Sequence, residues 1–154
     1  MISINKILHP TDFSANSTHA LNYACAFAAH FGAELHLIHV VVDLSLVTLP
    51  PIDGYLPEGY YENARKHAND ELAKMPPAKM ADNIRIVRQV LDGSAFLEII
   101  RYAKDNKIDL IVMGTHGYSG LTHLVMGSNA EKVVRKSPCP VLTVHPENHE
   151  FVIP

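Results

Sequence analysis

Two hydrophobic periods alternate along the chain. Residues 5–9, 35–42 and 110–113 are short runs of Ile, Leu and Val with apolar side chains on both faces. That is the pattern of a strand covered on both sides, not of one half exposed to water. Between the first two runs, Leu21, Ala24, Cys25, Ala28 and Phe31 recur at three- and four-residue steps, which places them on one face of a helix. Gly32 follows where a helix C-terminus takes a left-handed residue. Further along, the pattern predicts a polar helix over roughly 58–75 stopped by Pro76 and Pro77, a strand near 84–90 and a helix from about Ser94 to Lys104. The 110–113 strand comes next, then a helix from about Ser128 to Arg135 and a strand from Pro140 to Val144. Strands and helices in strict alternation predict a parallel sheet with helices on both faces, and right-handed crossovers make it doubly wound. The segment 44–59, with Pro50, Pro51, Pro57, Gly54 and Gly59, reads as a long surface loop. Residues 1–146 read as one domain, and 147–154 as a tail without usable periodicity.

Composition narrows the classes. A length of 154 residues with 47% hydrophobic side chains suits a single globular domain. The formal charge is −3 and no run of Lys or Arg stands out, which argues against a nucleic-acid partner. A bound phosphate would have to be held locally, by backbone groups or one small patch. The N-terminal residues lack a signal-peptide core, and no apolar run is long enough to span a bilayer. Cys25 and Cys139 lie outside any CxxC pattern and read as reduced core residues, so a cytoplasmic protein without membrane insertion is expected.

In an open parallel sheet, ligands bind beyond the carboxyl ends of the strands, where strand order reverses. Two segments at such ends carry candidate chemistry. After the fourth strand, Gly114, Gly117, Gly120 and Gly127 bring four of the chain's eight glycines into fourteen positions, and Gly127-Ser128 opens a helix. Glycine lets a backbone turn through positive φ or come close to a ligand, and the free N–H groups of a helix start favour phosphate. The bland alternative is a set of turn glycines, with Ser128 and Glu131 forming an S-x-x-E capping box. After the first strand comes Pro10-Thr11-Asp12-Phe13-Ser14. The Asp12 carboxylate could accept from an adenine amino group or a ribose hydroxyl, or could simply cap the next helix.

Taken together, Pro10-Thr-Asp12-Phe-Ser14 and the spacing G-x-x-G, nine residues, G-S in Gly114, Gly117, Gly127 and Ser128 resemble the universal stress protein family. Asp92-Gly93 before the third helix and the closing Ser-Pro-Cys-Pro-Val-Leu-Thr-Val resemble it as well. The resemblance implies a five-stranded sheet of order 3-2-1-4-5, of the adenine nucleotide alpha hydrolase-like type. The intact glycine spacing implies the ATP-binding branch, with ADP or AMP as alternatives and Mg2+ or Mn2+ on the phosphates. By position, Pro10, Thr11 and Asp12 would contact adenine and ribose. Val40 or Val41, with Met113 and Gly114, would line the adenine pocket. Gly117, Gly127, Ser128 and Asn129 would cradle phosphate, with His116 as an additional contact. The resemblance further implies a homodimer through the last strand and a nucleotide-dependent regulator with an unknown protein partner.

The remaining motifs leave that reading in place. His36 and His39, three apart on a strand, point to opposite faces and do not suit one metal ion. The chain contains neither GxxxxGK[ST] nor GxGxxG. A phospho-acceptor receiver would need a lysine after the fifth strand, and Val141–His145 has none. Two rival functions stay open: a slow ATPase or adenylyl-transferring enzyme, and a nucleotide-free dimeric interaction module.

Overall fold

In the computed structural model, residues 1–44, 57–116 and 126–147 are described. Five strands pair in parallel in the order β3-β2-β1-β4-β5. They are β1 Lys6–Pro10, β2 Glu34–Val42, β3 Ile86–Gly93, β4 Leu110–Gly114 and β5 Val141–Val144. Helices α1 Ala15–Phe31, α2 Tyr60–Ala73, α3 Ala78–Ala81, α4 Ala95–Asp105 and α5 Ser128–Lys136 fill the connections. Fold class and strand order are those the sequence implied.

The side-chain period of two sorts the sheet into two cores. On one face Ile7, Leu35, Leu37, Val112 and Val144 meet Ala20, Leu21, Ala24, Cys25 and Ala28 of α1 and Leu72 of α2. On the other, Leu8, Ile38, Ile111 and Met113 meet Ile99, Tyr102 and Ala103 of α4 and Ala130 and Val133 of α5. Burial of one such Leu or Ile is worth roughly 1.5–3 kcal/mol, so neither face could be left uncovered. Alanines on α1 bring that helix close to the strands. Gly32 ends it at φ 64°, with its N–H on Ala28 O.

Local differences from the sequence pattern have local causes. Phe31 was expected on the buried face of α1 but is exposed at the last turn, stacked on Phe27. The prolines after α2 are followed by a single extra turn, α3, because a proline at a helix start forfeits no helical hydrogen bond; Pro77 O accepts from Met80 N at 2.8 Å. β3 runs later than 84–90, since its pairing with β2 continues to Val42–Gly93. β5 begins at Val141, although Pro140 O already accepts from Ile111 N. Helix α1 is capped by Ser14, whose side chain accepts from Ser17 N, so Asp12 is not its cap. Helix α5 has Gly127 as N-cap and no side-chain cap, so the Ser128–Glu131 capping box does not form; Glu131 pairs with Arg135 instead. Most of the expected loop 44–59 and of the C-terminal tail lies outside the described residues. No helix among them is long and apolar enough to cross a membrane.

Candidate functional site

The order β2-β1-β4 puts a reversal of winding between β1 and β4. The chain leaves β1 for α1 on one face and leaves β4 for α5 on the other. Pairing of β1 with β4 runs through Ile7–Leu110 and Leu8–Ile111 and stops there. Thr11 N donates to Ile38 O, so the odd residues of β1 point their N–H groups at β2 and the even ones at β4. The next even residue is Pro10, which has no N–H to offer. Val112 O accepts from the imidazole Nδ1 of His9 at 2.9 Å instead. A side chain thus replaces the missing rung, and a crevice between the two strand ends begins above it.

His9 is fully buried. Burial pushes its pKa down to about 4 from 6.5, outweighing the hydrogen bond to Val112 and the charge of Asp12 that favour protonation. The ring is therefore neutral at pH 7, with its proton on Nδ1. Its Nε2 lies 3.4 Å from Ser17 Oγ, and the Ser17 hydroxyl donates to Thr11 Oγ1 at 2.9 Å.

Thr11 is held at every polar atom. Its N–H is on Ile38 O, its carbonyl accepts from His39 Nδ1 at 2.8 Å, and its hydroxyl oxygen accepts from Phe13 N at 3.0 Å as well as from Ser17. The Thr11 side chain is turned into the protein, where it fixes the shape of the loop. Phe13 takes φ 64°, uncommon for a residue with a side chain, and its ring stacks on His39 at 4.5 Å. Asp12 Oδ1 accepts from Ser14 N at 2.9 Å, a tight turn that leads the chain into α1.

Parity also separates the other pocket residues. Pro10 shares the face of Leu8, Val40 that of Ile38, and Met113 lies in the same core cluster, so these three belong to the α4/α5 side of the rim. Val41 belongs to the α1/α2 side. Of the Val40-or-Val41 pair, Val40 is the one that shares a face with Met113.

At the end of β4 the backbone comes very close to α1. A Cβ on Gly114 would lie 2.7 Å from Asn16 Nδ2 and 3.1 Å from its Cγ, so glycine here serves close approach. The Asn16 amide uses that space to donate to His116 O at 2.8 Å. Gly127 N donates to Thr115 O at 2.7 Å, which closes the neck of the connection between β4 and α5. Gly127 itself has φ −57° and ψ 145°, a conformation open to any residue, so the expectation of positive-φ turning fails at both described glycines of the cluster. The first turn of α5 presents its N–H groups with no side chain capping them, and Ser128 and Asn129 stand exposed beside them. His116 Nδ1 lies 2.8 Å from Thr115 Oγ1. Gly117 lies outside the described residues.

The structure thus gathers Pro10, Asp12, Val40, Met113, Gly114, His116, Gly127, Ser128 and Asn129 along one rim. It adds His9, Asn16, Ser17 and His39, which sequence reasoning missed. The partners of His9 and Asn16 are about a hundred residues away, at Val112 and His116, and no local signal marks them.

A family model described as the Universal stress protein family matches residues 3–145. The chain belongs to the universal stress protein family. Universal stress protein MJ0531 of Methanocaldococcus jannaschii is 38% identical over 141 residues, 90% of this chain and 81% of that protein. Universal stress protein YxiE of Bacillus subtilis is 34% identical over 146 residues, 91% and 98% of the two chains. Among solved structures, the universal stress protein UspA from Lactobacillus plantarum superposes with TM-score 0.77 at 29% identity, covering 92% of this chain and 98% of its own. A universal stress protein in complex with cAMP superposes with TM-score 0.62 at 26% identity, covering 94% and 99%.

The buried imidazole makes the rim sensitive to acid. Below pH 6.5 an unfolded chain protonates His9, whereas the folded one does not until pH falls to about 4, so stability is lost as pH falls through that window. Burial lowers the pKa of His36 and His39 too, and both act in the same direction. Between pH 7 and pH 4.5 His9 alone should cost about 2 kcal/mol. Chemical denaturation at the two pH values should show His9→Asn losing less stability than the wild type. Equal losses would contradict this role for His9.

Proposed function

We propose that the protein binds an adenine nucleotide at the C-terminal rim of β1 and β4, ATP foremost and ADP or AMP as alternatives, and reports nucleotide state to a protein partner. The observation that carries this reading is the start of α5. Its first N–H groups lack a side-chain cap, and the residue before them is a glycine whose backbone angles do not require one. Glycine at an unstrained position removes bulk where a ligand's phosphate would approach the helix start, and the dipole there favours negative charge. Pro10, Val40 and Met113 offer an apolar wall for the base on the α4/α5 side, and Asp12 lies within reach of ribose or amino donors. The complex of a family member with cAMP supports an adenine nucleotide as ligand class.

Among the described residues no three His, Cys, Asp or Glu side chains gather as a metal site. Mg2+ or Mn2+ would therefore be held chiefly by the phosphates. Among the described residues, the groups at the phosphate end are backbone N–H, the Ser128 hydroxyl and the Asn129 amide, with the His116 imidazole close to the end of β4. We read the protein as a regulator and not a turnover enzyme, with slow hydrolysis at most.

Calorimetry with ATP, ADP, AMP and cAMP tests the reading; no binding at millimolar ligand would overturn it. At ATP about 100 times the dissociation constant, wild type should gain ~2.7 kcal/mol, a rise of roughly 5–11 °C in melting midpoint. Gly127→Val should melt near the wild-type ligand-free midpoint and lose the ATP shift. A full shift in the variant would make Gly127 an ordinary turn residue.

We also propose that the protein is a homodimer through β5, an edge strand of the sheet. Pro140 O and Val144 O accept from Ile111 N and Thr115 N, so the even residues of β5 bond inward and the backbone of Val141 and Thr143 faces the open edge. Two-fold pairing would cover that edge. Sedimentation should give a dimer at micromolar concentration and a monomer for Thr143→Pro. A wild-type monomer, or a dimer that survives the proline, would contradict the pairing.

A further inference from the structure

Among the described residues, two side-chain polar atoms beside the rim are buried without a hydrogen-bond partner: Asn16 Oδ1 and His116 Nε2. They belong to residues already joined, since Asn16 Nδ2 donates to His116 O. That bond fixes the orientation of the amide, because a carbonyl oxygen can only accept. Oδ1 is therefore an acceptor, held in place and unsatisfied. The space for it exists because residue 114 lacks a Cβ. A buried acceptor left unpaired carries the full cost of its desolvation, and a phosphate oxygen cannot relieve it, being an acceptor as well. What satisfies Oδ1 must bring a proton.

We infer that Asn16 is a specificity-determining residue of the nucleotide site, its Oδ1 accepting a hydrogen bond from a ribose hydroxyl or from the adenine 6-amino group. Both are donors on the same ligand, and either satisfies the atom. Asn16 stands at the first turn of α1 and its amide bonds the backbone just beyond β4, so it lies where the Pro10–Ser14 loop leads into α1 beside the end of β4. His116, whose carbonyl Asn16 holds, has its ring Nδ1 beside Thr115 Oγ1 and carries the other unpartnered atom, Nε2. The inference rests on the nucleotide reading and adds to it a residue that selects among nucleotides.

The test compares ligands within one protein, so a uniform loss of affinity cancels. Titrations with ATP, 2′-deoxy-ATP, 3′-deoxy-ATP and purine riboside triphosphate, all with Mg2+, are run on wild type, Asn16→Ala and Asn16→Asp. In wild type, one of the three analogues should bind about ten-fold more weakly than ATP, the value of one buried hydrogen bond. The analogue that does so identifies the donor. In Asn16→Ala that penalty should fall below about two-fold while penalties for the other analogues persist. Asn16→Asp keeps an acceptor but loses the donor to His116 O, so it should retain part of that penalty. Should the alanine variant fail to fold, a folded Asn16→Asp with no trace of the penalty overturns the inference on its own. Equal affinity of wild type for all four ligands, or an alanine variant that keeps every penalty, overturns it while leaving nucleotide binding intact. A wild type that binds none of the four overturns the nucleotide reading and this inference with it.

Discussion

One hydrogen bond between a side chain and a strand sets the shape of the rim. Parallel strands stay together while each supplies an N–H to the other's carbonyl, and Pro10 cannot do so. The donor comes from His9, whose imidazole spans to Val112 O at 2.9 Å from within the core. The two strands remain joined at that level and part above it. Such a rung needs a proton on Nδ1, and complete burial keeps the ring otherwise neutral far below physiological pH.

The loop above is organised around the same residues. Ser17, packed beside the His9 ring, donates to Thr11, and Thr11 in turn holds Phe13 in its left-handed conformation against His39. Fixing one residue of a chain costs on the order of 1–2 kcal/mol in entropy. Here that cost is met within the fold, which fixes the Pro10–Ser14 loop by its own hydrogen bonds. On the other side of the crevice the Asn16–His116 and Thr115–Gly127 bonds do the same for the end of β4. The polar atoms of Thr11 are spent on the scaffold, and those left over belong to Asn16, His116 and the first turn of α5.

The fold was readable in the sequence because it depends on periodicity. Runs such as 35–42 admit no face for water, and Leu21, Ala24, Cys25 and Ala28 trace one side of a helix. Tertiary context shifted the edges of elements: β3 ran on to Gly93 because β2 offered partners to Val42. The resemblance names residues that lie along this rim, and the geometry adds what Thr11 and the glycines do within the fold. The hydroxyl of Thr11 faces inward, Gly114 is needed for close approach to Asn16, and neither it nor Gly127 takes a positive φ. Asn16 was invisible for a plain reason: an asparagine in the first turn of a helix looks like any polar surface residue until the strand it touches is known.

We propose the two parted strand ends as the ligand site. Amide chemical shifts recorded while Mg2+ and ATP are added test it most directly. Asn16, Gly114, Thr115, His116, Gly127, Ser128 and Asn129 should shift most, and Lys6, Glu34 and Arg85 at the opposite end of the sheet should not move. Shifts concentrated at that opposite end, or along α2 with the rim silent, would contradict it.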